Sequence, residues 1–172
     1  KKYRSEMHWY NIDESCRIAL KTLEELLEQK VKCTWFVRVD DQIKHYMGSS
    51  IGFLKKYDKL INFLIKNDQL IGFHPHLEKY DKTIQKWIIN KNINHLLEQF
   101  SNSFNDFKKF GLSPNITRIG GNLSQPILFQ TMDKLGVKVD STAMPGRHRN
   151  DNERSFNWKL TKGHIYKPSF EN

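Results

Sequence analysis

The chain has 172 residues, 38% of them apolar, with 11 Phe, 6 Tyr and 4 Trp spread along its length, enough to bury a core and to exclude a disordered tail. Its 28 Lys and Arg against 19 Asp and Glu give a formal charge of +9, but Lys55, Lys56, Lys108 and Lys109 are scattered rather than blocked, so a solvated basic surface is expected over a polyanion groove. No run approaches the roughly 20 apolar residues that span a bilayer and no signal peptide opens the chain, so no transmembrane segment is expected.

In chain order, Asp13 or Ser15 caps a first helix whose Ala19, Leu23, Leu26 and Leu27 recur at the spacing of one buried face. The run VKCTWFVRV, residues 31 to 39, then reads as a buried strand, being short and rich in Val and aromatics. Phe53, Tyr57, Leu60, Ile61 and Leu64 mark a second helix, and QLIGFH, 69 to 74, a second strand. A third helix runs through Ile93, Leu96, Leu97, Phe100, Phe104 and Phe107 to a stop at Gly111, before the strand NITRIG at 115 to 120. Leu128, Met132 and Leu135 with Gly136 give a fourth helix, and VKVDS, 137 to 141, a fourth strand. This alternation implies a parallel α/β sheet or barrel. Residues 144 to 158, MPGRHRNDNERSFNW, show neither period, and read either as a functional loop or as a surface excursion. Cys16 and Cys33, without C-x-x-C spacing, suit two core thiols in a reducing compartment. A cytoplasmic protein is expected, free or at the membrane periphery.

Parallel α/β folds keep their chemistry at the carboxyl ends of their strands. Those ends carry Asp40 and Asp41, then His74, His76 and Glu78, then Arg118 with Gly120 and Gly121, then Asp140 and Ser141. Pro75 pushes His74 into extended backbone, and in extended chain residues i, i+2 and i+4 face one side. His74, His76 and Glu78 thus offer two imidazoles and a carboxylate, a donor set suited to Zn or another first-row divalent metal. The plainer reading makes one histidine a satisfied strand-end residue and the other a solvated one. Asp40 and Asp41 read equally as paired carboxylates or as the cap of a turn.

Taken together, KCTWFVRVD, IGFHPHLE, TRIGGN, LGVKVDSTAMPGRHRND, FNW and IYKPS resemble the polysaccharide deacetylase or NodB-homology family, carbohydrate esterase family four, and within it the WbmS-like branch of O-antigen clusters. The resemblance runs from about residue 16 to residue 169. It implies a distorted (β/α) barrel, expected as one domain over 1–172 cut short at both ends, that removes the N-acetyl group of an acetamido-sugar by metal-assisted hydrolysis in surface polysaccharide assembly. His74 aligns with the family's first metal histidine, and His76 or Glu78 stands in for the second. Arg118 aligns with the arginine that pairs with a catalytic carboxylate. Asn157 and Trp158 fall on an Asp-Trp pair, the aspartate being replaced. The substrate side is assigned to Trp158, Asn157, Asp40, Arg147 and Asp140, and the metal expected is zinc. The family's opening aspartates and closing histidine have no match, so the chain as it stands is expected to be inactive or nearly so. A non-catalytic glycan-binding relative is the alternative. A nucleic-acid partner is not expected, since no recognition helix, RNP-like strand or zinc-finger spacing accompanies the charge.

Overall fold

The computed structural model describes residues 11–123, 125–150 and 155–164. Helix α1 (Ile12–Leu27) leads to strand β1 (Thr34–Val37), whose β-branched and aromatic residues favour a pleated, half-buried surface. Three short helices follow, α2 (Asp41–Met47), α3 (Gly52–Lys56) and α4 (Asp58–Lys66), and then strand β2 (Leu70–Phe73). A hairpin of β3 (Glu78–Asp81) and β4 (Lys86–Ile89) precedes the long helix α5 (Ile93–Lys109). Strand β5 (Ile116–Thr117), a 3-10 turn (Gly120–Asn122), helix α6 (Pro126–Lys134) and strand β6 (Val139–Asp140) complete the alternation. A second hairpin pairs β7 (His148–Asn150) with β8 (Ser155–Asn157).

Strands β1, β2, β5 and β6 form one parallel sheet in that order, with Val37 beside Phe73, Phe73 beside Thr117 and Thr117 beside Asp140. All four carboxyl ends therefore lie along one edge. The result is a mixed α/β fold with helices packed on a parallel sheet. Gly72 has to lack a side chain there, because a Cβ would sit 2.7 Å from Cδ1 of Phe36 on the neighbouring strand. Below the edge, Phe73 is fully buried, with the rings of Phe100, Phe104 and Phe107 edge-on at centroid distances of 5.4, 5.6 and 5.7 Å. Those three rings come from the i, i+4, i+7 face of α5 that the sequence pattern marks. No described helix is long and apolar enough to cross a membrane.

Apart from α2 and the β3–β4 hairpin, which the sequence pattern did not mark, four features differ from the expectations. The apolar face read on α1 is rotated: Leu20 is buried, whereas Leu23, Leu26 and Leu27 are 39%, 74% and 54% exposed and Ala19 is exposed. Helical period fixes a stripe but not which neighbouring stripe docks, and Arg17, 3.9 Å above the centre of the Phe63 ring, helps seat the other one. The expected cap at Asp13 or Ser15 is also absent, since the helix starts after Asn11 in left-handed backbone and with no side-chain cap. The second predicted helix is split into α3 and α4, because Tyr57 leaves helical backbone at φ −115° and ψ 32°. Finally, residues 148–150 and 155–157 pair as antiparallel strands where the sequence shows neither period, so only the pairing itself defines them.

Candidate functional site

The polar groups at the carboxyl edge are built outward from the end of β1. Val37 ends the strand, and three residues later the buried Asp40 becomes the N-cap of α2, accepting the Ile43 amide at 2.9 Å. Its carboxylate also receives Nε and Nη2 of Arg38 at 3.0 and 2.9 Å, and the main-chain N–H of His76 at 3.1 Å. One carboxylate thus ties the end of β1, the start of α2 and the loop after β2. Asp40 has 1% of its side chain exposed and Arg38 14%, so the pair is an internal strut. Of the two readings of the Asp40 and Asp41 pair, capping accounts for Asp40. Asp41 instead accepts from Nε2 of Gln99 at 2.8 Å, and the same amide group donates to the Glu78 carbonyl at 3.0 Å, tying α2 and β3 to α5.

After β2 the chain is held twice by its neighbours, the His74 amide donating to the Val37 carbonyl and the Arg118 amide to the Phe73 carbonyl, each at 2.9 Å. His74 Nδ1–H donates to the Arg118 carbonyl. A carbonyl can only accept, so this contact fixes the proton on Nδ1 and leaves Nε2 of the neutral ring as the lone pair. Burial pushes the His74 imidazole down to about 4, the Arg118 carbonyl opposing this and the nearby His76 and Arg38 adding to it. The ring is therefore neutral at physiological pH. Because its folded value lies below the usual 6.5 or so, its protonation favours the unfolded chain: the stability it supports is present above about pH 6.5 and is lost as pH falls toward 4. His74→Asn, which keeps a donor for the Arg118 carbonyl but cannot titrate, is expected to flatten the fall in urea midpoint between pH 6.5 and 4.5 relative to the parent chain. An unchanged slope would show that His74 does not carry it.

The His76 ring stands edge-on to that of His74, with centroids 5.1 Å apart, and its Nδ1 lies 3.9 Å from Oε1 of Glu78, the first residue of β3. Its other neighbour is Gly120, whose amide donates to the Pro75 carbonyl at 2.8 Å. A Cβ on Gly120 would fall 2.1 Å from Cδ2 and 2.3 Å from Nε2 of His76. Gly120→Ala is therefore expected to push the His76 ring out of place and to lower stability by about 1–3 kcal/mol, the range of an overpacked site. Histidine-selective nitrogen-15 spectra check it: His76 should shift more than His95, and an unmoved His76 would contradict the contact.

At the far end of the sheet Asp140 accepts from the Thr142 amide at 3.2 Å and from its hydroxyl, and that hydroxyl accepts the Ile119 amide at 2.7 Å. Thr142 so links the loop after β5 to the end of β6. Burial raises the Asp140 carboxyl above its ordinary range, against these hydrogen bonds and the charge of Arg118. The Arg118 side chain is exposed. Trp158 is 4% exposed and its Nε1 donates to the Asn122 carbonyl at 2.9 Å, so its ring anchors the second hairpin and offers no open stacking face. Asn157 is exposed and accepts the Lys159 amide at 3.1 Å. Arg147 is exposed and lines a cleft beside the hairpin with Asn122, His148 and Arg149. A second, mixed-charge groove lies between α2 and α5, lined by Asp41, Lys44, His95, Glu98 and Asp106 among others, and His74, His76 and Arg118 line neither.

The histidines hold part of what a divalent metal asks for. His74 has the carbonyl-anchored Nδ1 and open Nε2 that fix an imidazole for ligation. Three donors are not gathered, however: among the described residues no group of three His, Cys, Asp or Glu is close enough to hold an ion. His74, His76 and Glu78 alone therefore do not fit a three-ligand centre as they stand. Sequence reasoning overlooked Arg38 and Thr142. The first was legible as a basic residue two positions before the strand-end aspartate; the second carries no signal beyond a hydroxyl two residues after Asp140.

The fold and its edge define a mixed α/β protein with a polar cluster at the carboxyl ends of parallel strands. Compared with protein-family models, curated proteins and solved structures, the chain finds no match.

Proposed function

We propose that the chain is a sugar N-deacetylase domain of the polysaccharide deacetylase type, acting in full-length form on an acetamido-sugar during O-antigen or capsule assembly, and that its parallel strands belong to a distorted (β/α) barrel. The observation that supports this reading is the gathering of His74, His76 and the Arg38–Asp40 strut at the ends of β1 and β2, next to Arg118 and Asp140 at the ends of β5 and β6. Unprotonated imidazole nitrogen, an exposed guanidinium and a half-buried carboxyl are groups that bind an amide, orient it and move protons at it. Zinc remains the proposed ion, with His74 and His76 as two of its holders and Glu78 beside them. Because those three do not complete a centre, no step is assigned to the metal.

The test is acetate release by the purified full-length protein from a panel of acetamido-sugars, with metal content measured by elemental analysis. Acetate release that falls at least tenfold in His74→Asn, with bound divalent metal, is the expected result. A folded full-length protein that binds no metal and releases no acetate from any of them would overturn it. One observation favours the second reading, a glycan-binding relative without turnover: Asn157 replaces the expected aspartate and spends its side-chain oxygen on the Lys159 amide. Glycan binding that persists in chelator, without acetate release, selects that reading.

A further inference from the structure

We propose that the groove between α2 and α5 binds an uncharged, hydroxyl-rich chain, the oligosaccharide to which the reacting sugar is attached; the link to a reacting sugar rests on the reading above. The groove encloses about 610 Å³. Its α5 wall is a polar stripe in which His95, Gln99, Asn102, Asp106 and Lys109 fall at i, i+4, i+7, i+11 and i+14, the spacing of one helix face. At a rise of about 1.5 Å per residue the stripe runs about 21 Å, a length for several rings rather than one. Asp41 and Lys44 of α2, with Ser50 soon after it, form the facing wall.

The walls are pinned before a ligand arrives. Ser50 Oγ donates to Asp106 Oδ2 at 2.6 Å and Gln99 Nε2 to Asp41 Oδ2 at 2.8 Å, so side-chain bonds join them at two points about two turns apart on α5. Asn90, 1% exposed, donates to Gln99 Oε1 at 2.8 Å and to His95 Nδ1 at 2.9 Å. With Nδ1 accepting, the His95 ring carries a proton on Nε2 and offers it as a donor. On the floor of the groove Ser103 is 6% exposed, and among the described residues its hydroxyl has no hydrogen-bond partner. A hydroxyl so placed is stabilised when a ligand supplies the missing partner. Along the same wall Glu98 accepts, Lys108 donates, and the Asn102 and Asn105 amides do both. Sugar hydroxyls also do both. An anionic chain would lie against the carboxylates of Asp41, Glu98 and Asp106, and a cationic one against Lys44, Lys108 and Lys109, so an uncharged chain suits the groove best. Gln99 Nε2 also donates to the Glu78 carbonyl at 3.0 Å, and Asp41 follows the N-cap Asp40, so both walls join the segments that carry the strand-edge cluster.

Titration calorimetry of the full-length protein tests this with the neutral tetrasaccharides chitotetraose, cellotetraose and maltotetraose, their monosaccharides, and a glycine–serine peptide of similar length. At least one tetrasaccharide is expected to bind at least tenfold more tightly than its monosaccharide. The double variant Asn102→Ala with Asn105→Ala should remove most of that gain; both residues are exposed on α5 and Ala is the best helix former, so the fold is kept. Ser103→Ala should weaken the tetrasaccharide by about fivefold, the worth of one neutral hydrogen bond. An unchanged thermal midpoint shows that each variant is folded. No gain with chain length in the parent, a gain that survives in full in the double variant, or a peptide that binds more tightly than every tetrasaccharide overturns the proposal. Binding is read without turnover, so missing acetate release counts against the deacetylase reading and not against the groove.

Discussion

Asp40→Ala is expected to lower the free energy of unfolding by about 3–5 kcal/mol, the cost of removing one member of a buried ion pair. The substitution would strand Arg38, whose side chain is 14% exposed and whose Nη2 otherwise meets both carboxylate oxygens of Asp40. It would also uncap α2, an effect of about 1 kcal/mol on its own, and leave the His76 amide without its acceptor. These losses share one carboxylate and are not additive. Asp40→Asn should be milder, because an amide oxygen still accepts from Ile43 while the charge facing Arg38 is gone. Urea unfolding of both variants measures this, and a loss below about 1 kcal/mol in Asp40→Ala would mean that the strut is solvated rather than internal. Because the same carboxylate holds the loop that carries His74 and His76, hydrogen exchange at the His76 amide should speed up in either variant.

Phe73→Ala is expected to cost about 3–5 kcal/mol as well, for a different reason: a large ring leaves a cavity that its surroundings fill only in part. Phe73 is fully buried against three rings of α5, and its carbonyl accepts both the Arg118 amide and the Thr117 hydroxyl. It is also the last residue of β2, so its packing sets where the chain turns toward His74. The variant should lose stability and loosen the His74–Arg118 contact together, read as urea midpoint and as the nitrogen-15 signal of His74. Stability lost with an unmoved His74 signal would separate the core from the site.

The four parallel strands were legible because each is a short Val-, Ile- or aromatic-rich run after a helix that ends near Gly or a polar turn, as at Gly111 and Gly136, both in left-handed backbone. The phenylalanines of α5 were legible for the same reason, a long periodic face with one place to go. Where tertiary contacts decide, the pattern was silent. Nothing in Leu20, Leu23, Leu26 and Leu27 says that only Leu20 docks. The β3–β4 hairpin escaped because its strands do not alternate; its register rests on the cross-strand Tyr80 and Trp87, with ring centroids 5.5 Å apart, and on a turn closed by Asp81. At the site, the strand-end positions of Asp40, His74, Arg118 and Asp140 followed from the fold class, but their partners did not. That Asp40 holds the His76 amide, and that Gly120 makes room for the His76 ring, depends on loops meeting across 36 and 44 residues of chain, counted between Asp40 and His76 and between His74 and Arg118.

The most direct measurement is amide and imidazole chemical-shift mapping of the full-length protein titrated with N-acetylated sugar. The account predicts that the sugar moves His74, His76, Arg118 and Gly120. Shifts confined to the groove between α2 and α5, around Asp41, Glu98 and Asp106, would contradict it.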